Sequence, residues 1–178
     1  MEFEPVQTLE GHENEVKCIA WSHQEEPYLA TCSRDKQIWI YEADEDEDEL
    51  DFSCLAVLSG HSQDVKYVKW HPERNQLYSA SYDDTLKCWS YDNSVDDWIC
   101  SYTMNGGHTS TVWCFDFNQS GTHMVSCSED KTWILWSITP TGYKKIGEVS
   151  NTHFRSIYSI SWCNSATVNR VVTSGADN

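Results

Sequence analysis

The sequence predicts an all-β protein built from a four-stranded unit repeated about four times, and three observations carry that expectation. Gly11-His12, Gly60-His61 and Gly107-His108, joined by Thr152-His153, set four histidines 49, 47 and 45 residues apart. Four residues after each histidine stands a β-branched residue (Val16, Val65, Val112, Ile157), and five further on a large aromatic (Trp21, Trp70, Phe117, Trp162). An aspartate then recurs at the end of an alternating block in every unit: Asp35, Asp83, Asp130 and Asp177. A unit of this length cannot bury its apolar faces alone, and stacking such sheets side by side around an axis gives a β-propeller.

Each unit reads as the same succession of elements. The stretch from the β-branched residue to the aromatic is an inner strand. The blocks LATCSRDKQIWIY, LYSASYDDTLKCW, MVSCSEDKTWILW and the shorter VVTSGADN are second strands running into a tight turn that holds the aspartate. A third strand follows in the first three units, and segments such as SCLAVL and ICSYTM make a fourth that leads to the next histidine. The chain is thus expected to be one propeller domain over residues 1–178, with repeats at about 6–50, 51–97, 98–142 and 143–178. Residues 6–9 (VQTL) are expected to form the outer strand of an earlier blade, and the last repeat stops just past its turn aspartate. Such an array would leave strand edges and apolar faces open at both ends, as in a fragment of a larger propeller or one that needs self-association or a second chain.

Composition narrows the function class. A formal net charge of -16 argues against nucleic acid as a partner, because a phosphate-binding surface needs clustered Lys and Arg. No apolar run reaches membrane-spanning length, and the first ten residues, MEFEPVQTLE, lack a basic start and an apolar stretch. Eight cysteines without such a leader read as reduced thiols, so the expected location is cytoplasmic and the expected partners are proteins.

The recurring histidine, hydroxyl, aspartate and tryptophan carry the structural chemistry. His61, Ser79, Asp83 and Trp89 form one set, and His108, Ser126, Asp130 and Trp136 a second; His12, Thr31 and Asp35 occur with Tyr41 at the tryptophan position, and His153, Thr173 and Asp177 complete the pattern as far as the chain runs. A carboxylate and an imidazole buried in a small sheet are costly unless fully paired, so these residues belong together as sets. They resemble the hydrogen-bonded tetrads of WD40 proteins. Within that family, the stretches LEGHENEVKC, LATCSRDKQIWIYEADED, HSQDVKYVKWHP, SASYDDTLKCW, DDWIC, STVW and IYSISWC look like the propeller subunits of the cytosolic iron-sulfur protein assembly machinery. That resemblance implies a seven-blade ring of which this chain covers about four, the last truncated. It implies a non-enzymatic scaffold that docks other targeting-complex subunits and client apo-proteins, carrying no cofactor and no metal itself. Some members bear an LYR-type co-chaperone motif at the end of a third strand, where this chain has Cys88-Trp89-Ser90. A generic WD40 adaptor, such as a ubiquitin-ligase substrate receptor or chromatin-associated scaffold, is the alternative.

Candidate chemistry is sparse. The cysteines recur at repeat positions (Cys18 with Cys114, Cys32 with Cys127, Cys54 with Cys100) and contain no CxxC, which reads as small buried core residues rather than cluster ligands. His23, His71 and His123 fall in connections between first and second strands and read as solvated. The acidic run EADEDEDELD, from Glu42 to Asp51, reads as a solvated loop outside every strand, with a docking patch for a basic partner as the other reading. Arg34 precedes the turn aspartate where other repeats have Tyr82, Glu129 and Ala176, so the tetrad does not require it. It is a partner-binding residue or one half of a local ion pair. Glu15, Lys17, Asp64, Lys66, Trp113 and Tyr158 flank the first inner-strand residue and are expected around the channel mouth on the same face, where Tyr82 and Glu129 are expected to join them in binding a partner.

Overall fold

The computed structural model describes residues 7–23, 27–46, 49–165 and 168–177, with only the backbone described at 44–46 and 49–50. Every strand pairs antiparallel with its neighbour. The first sheet holds β1 (Val16–Trp21), β2 (Leu29–Ser33), β3 (Gln37–Asp46) and β4 (Glu49–Ser59) in that order. The second holds β5 (Val65–Trp70), β6 (Gln76–Ser81), β7 (Leu86–Asp92) and β8 (Asp97–Met104). The third holds β9 (Val112–Phe117), β10 (His123–Ser128), β11 (Trp133–Thr139) and β12 (Gly142–Val149), and the fourth only β13 (Ile157–Trp162) and β14 (Val171–Gly175). Strands β1, β5, β9 and β13 each pack beside the next, so the sheets stand side by side as blades around one axis with these four innermost. The outer strand β4 belongs to the first sheet although it spans the sequence repeat boundary near residue 50.

The core lies between blades. Ala30, Cys32, Ile38 and Ile40 of the first blade meet Val68, Trp70, Leu77 and Trp89 of the second. Tyr78, Ala80, Leu86 and Cys88 on the second blade's far face meet Phe115, Phe117, Met124 and Trp136. Val125 and Cys127 meet Ile157 and Ile160. Alternation along a strand sends successive side chains to opposite faces, so one strand serves two joints. Polar staples cross the same joints. The Trp70 indole donates to the Ala20 carbonyl at 3.0 Å, while Asp116 accepts from Lys69 at 2.6 Å and from the Trp162 amide at 2.8 Å.

Four expectations are corrected. The acidic run is not a loop outside the strands: β3 and β4 continue as a hairpin through it, with Glu42 opposite Ser53, Asp44 opposite Asp51 and Asp46 opposite Glu49, while residues 47–48 lie outside the described residues. A ladder is bonded through backbone groups whatever the side-chain charge, and its base is anchored by Trp21 against Phe52 at 5.9 Å. The predicted strand at 6–9 is also absent over the described residues 7–9; there the Gln7 side-chain amide pairs with both backbone groups of Phe52. Cys54 and Cys100 are exposed rather than buried, because the outermost strands have no neighbour beyond them.

His71 is the fourth correction. It is buried between the second and third blades, where Nε2–H donates to the Gly121 carbonyl at 3.0 Å and Nδ1 accepts the Glu73 and Arg74 amides at 3.1 Å each. Gly121 is required at this contact: its φ is +65°, and a Cβ there would lie 2.1 Å from the ring. Burial, reinforced by the Arg74 charge, lowers the His71 pKa to about 4. The unfolded imidazole takes up a proton near its ordinary 6.5 and the folded one does not until about 4, so folding should lose up to roughly 3 kcal/mol through this residue as pH falls across that window. Urea unfolding measured from pH 7 to 4 should show that slope, and His71→Gln should flatten it.

Candidate functional site

The four histidine sets bring together all the residues predicted for them. His12, His61 and His108 place Nδ1 at 2.7, 2.8 and 3.0 Å from Asp35, Asp83 and Asp130, and Nε2 at 2.7, 2.7 and 2.8 Å from Thr31, Ser79 and Ser126. His153 meets Asp177 at 2.7 Å and Thr173 at 2.9 Å. Trp89 and Trp136 donate their indole N–H to Ser79 and Ser126 at 2.9 and 2.8 Å. Asp35, Asp83 and Asp130 also cap their turns. Asp83 accepts from the Ser62 and Thr85 amides and the Thr85 hydroxyl, which lets Asp84 take a left-handed φ of 66°. Burial alone would raise the Asp83 pKa, but the bonds from His61, Thr85 and Ser62 outweigh it and hold the carboxyl well below its usual range; burial in turn lowers His61.

The order Asp, His, Ser is also that of a hydrolytic triad, and the environment decides against that role. Ser79 is fully buried and its oxygen already accepts the Trp89 indole, so no substrate carbonyl can reach it. The first blade divides the tryptophan's duties between two side chains. Tyr41 takes the register position of Trp89 and pairs with Thr31, while Trp39, two residues earlier, packs on Gly11, where a Cβ would lie 2.3 Å from its ring.

On the turn side of the blades a second set of residues is positioned by one recurring backbone device. The ladder between inner and second strand skips a residue in every blade: Val16 faces Ser33 but Cys18 faces Cys32, and the same slip follows Val65, Val112 and Ile157. The extra residue is a β-bulge, which turns its side chain out of the ladder. Those residues are Lys17, Lys66, Trp113 and Tyr158. The amide of the turn residue closes each bulge, Arg34 on the Glu15 carbonyl at 3.0 Å, Tyr82 on Asp64 at 2.9 Å and Glu129 on Thr111 at 2.9 Å.

Together they shape the mouth. Glu15, Lys17, Arg34, Gln63, Asp64, Lys66 and Tyr82 line one open depression of about 430 Å³. Lys66 bonds Asp64 at 3.0 Å and stands 5.4 Å from the Tyr82 ring and 5.3 Å from that of Trp113, within cation–π range. Trp113 in turn meets Tyr158 edge to face at 5.3 Å. Lys17 pairs with Glu15, and its hydrogen bond and charge hold the Glu15 carboxyl below the usual carboxylate range. Arg34 is held least: its side chain is 57% exposed and its Nε lies 3.9 Å from Asp64. Glu129 is not part of this depression; its charge acts instead on Asp84, whose pKa is raised by burial and by the neighbouring carboxylates.

Some residues escaped the sequence reading. Gln63 lines the depression and has no counterpart in the other repeats that would have flagged it. Ser33, Ser81 and Ser128 each accept the amide of the turn aspartate at 3.0–3.1 Å and bond back to the loop before the inner strand, as Ser81 does to the Asp64 carbonyl at 2.8 Å. Their signal was present as the recurring Ser-x-Asp of SRD, SYD and SED.

Blades of this construction, with a His-Asp-hydroxyl set in each, place the chain in the WD40 family. The family described as "WD domain, G-beta repeat" matches residues 3–42, 52–90 and 98–137. Among its relatives, "Probable cytosolic iron-sulfur protein assembly protein 1" of Chaetomium globosum is 34% identical over 99% of this chain and 47% of its own length. Proteins of the same description from Scheffersomyces stipitis and Kluyveromyces lactis are 38% and 44% identical, over 99% and 91% of this chain and 54% and 49% of theirs. The chain thus spans about half the length of the curated relatives it matches.

Asp83→Ala would strip His61 of its Nδ1 partner and leave three further donors unanswered, and should lower unfolding free energy by about 3 kcal/mol. Chemical denaturation followed by tryptophan fluorescence measures it; a loss under 1 kcal/mol would contradict the structural weight given to the set.

Proposed function

We propose that this chain is a non-enzymatic WD40 scaffold of the cytosolic iron-sulfur protein assembly machinery, and that the mouth of its blades is the surface on which it binds proteins. The relatives support the first half, since their names place them in that assembly process. Exposed Arg34 is the observation that supports the second. Most of the charge around it is already committed in pairs, whereas among the described residues its guanidinium has one long contact and presents several donors to solvent. Lys17, Arg34 and Lys66 also outnumber Glu15 and Asp64 in a chain whose net charge is strongly negative, so the depression is a local cationic spot edged by Tyr82, Trp113 and Tyr158. Charge inside an aromatic rim is what a hot spot for an acidic partner requires. The work done there is binding: rigid blades hold several proteins at once, and no bond is made or broken.

Arg34→Glu should therefore weaken capture of targeting-complex proteins at least tenfold while leaving circular dichroism unchanged, because the side chain takes no part in the tetrad. Pull-down with HEAT-repeat and small targeting subunits, each titrated against both chains, reads the effect. Unchanged affinity would remove the mouth as the binding surface, and recovery of ligase or histone-binding subunits instead would replace the assembly role with that of a general adaptor.

A further inference from the structure

Arg34 stands near two carboxylates and closes on neither. Its Nε lies 3.9 Å from Asp64 Oδ2, too long for a hydrogen bond. Its amide donates to the carbonyl of Glu15, whose carboxyl also feels the guanidinium charge. An exposed guanidinium beside a carboxylate ordinarily closes on it through a fork of two hydrogen bonds. Here each carboxylate is already taken by the bulged lysine two residues further on: Lys17 bonds Glu15, and Lys66 bonds the same Asp64 Oδ2 at 3.0 Å. The two lysines are held unequally. The Lys66 side chain is 12% exposed against 31% for Lys17, and its ammonium stands within cation–π range of Tyr82 from its own blade and Trp113 from the next. With the bulge aiming the side chain and two rings flanking its charge, Lys66 is the fixed partner of Asp64 and Arg34 the excluded one.

We propose that Lys66 is a positioning residue of the mouth: by holding the Asp64 carboxylate it keeps the Arg34 guanidinium open to a partner. Its consequence for binding rests on the mouth being the surface that meets proteins, whereas the competition for Asp64 exists in the chain alone. Without the Lys66 ammonium, Asp64 is left with Arg34 as its nearest cation, and the two form an exposed ion pair. Pairs of that kind favour the closed form about two- to fivefold. A partner's carboxylate would then have to displace Asp64 before it could reach the guanidinium, so capture weakens by the same factor although Lys66 itself need not touch the partner.

The test is nuclear magnetic resonance on the full chain labelled at its arginines, with rotation about the Arg34 Nε–Cζ bond as the readout, since docking on a carboxylate slows it. Lys66→Met keeps the length of the side chain and removes its charge; rotation should slow about two- to fivefold. Lys66→Met combined with Asp64→Asn should restore it. Should Lys66→Met disturb the near-ultraviolet signal of the nine tryptophans, Lys66→Leu takes its place. In pull-down titrations with the targeting subunits, Lys66→Met should weaken capture by the same factor and the double variant should recover it, since residues 64 and 66 together are neutral in both the parent and the double variant. Unchanged rotation in Lys66→Met would overturn the proposal. So would a double variant that captures as weakly as Lys66→Met, because Lys66 would then touch the partner itself. If Arg34→Glu captures the subunits as the parent does, the binding surface lies elsewhere, and rotation measured without any partner still decides what Lys66 does.

Discussion

A carboxylate buried beside an imidazole is the constraint from which the rest of this structure follows. Taking Asp83 out of water is unfavourable unless its oxygens are answered, and here they are answered by His61, by the Ser62 and Thr85 amides and by the Thr85 hydroxyl. Those donors come from the loop before the inner strand and from the turn after the second, so satisfying one side chain ties two remote backbone segments together. The imidazole extends the tie to Ser79 on β6, and Trp89 on β7 closes it. Once the turn is fixed, the amide of Tyr82 lies against the Asp64 carbonyl, and the bulge that projects Lys66 is set. The proposed recognition surface is in this sense a by-product of a folding requirement.

The set tolerates change where geometry can be met another way. In the first blade the bulk of a tryptophan and the polar contact to the hydroxyl reside on different residues, Trp39 and Tyr41, stacked at 6.1 Å. In the fourth blade the pair of His153 and Asp177 forms with no third strand among the described residues. The His-Asp-hydroxyl core is thus the invariant part, and the aromatic that covers it is a separate, adaptable layer.

Most of the fold was legible in the sequence because the tetrads leave residues of rare type at fixed spacing, so His12, His61, His108 and His153 can each be matched to its aspartate by spacing alone. The mouth was legible for the same reason, since Lys17, Lys66, Trp113 and Tyr158 occupy one register position. What escaped depended on neighbours that spacing does not reveal. His71 looked like a loop residue because nothing local announces that Gly121, fifty positions on, will cover it. The run from Glu42 to Asp51 looked like a solvated loop because charge patterning is blind to backbone pairing, which continues with either kind of side chain. Cys54 and Cys100 shared a register position and were taken as core, but in a propeller the outermost strand has a side open to solvent.

The bulges separate two tasks that a strand ordinarily combines. A residue in a ladder must suit its cross-strand partner, its packing face and its neighbours at once, whereas the bulged residue has no partner opposite. Lysine, lysine, tryptophan and tyrosine occupy the four equivalent places with the ladders on either side continuing in the same pattern. The bulged side chains answer to one another at the rim, as Lys66 does to Trp113 and Trp113 to Tyr158, so the rim's chemistry is decoupled from the ladders that hold the blades together.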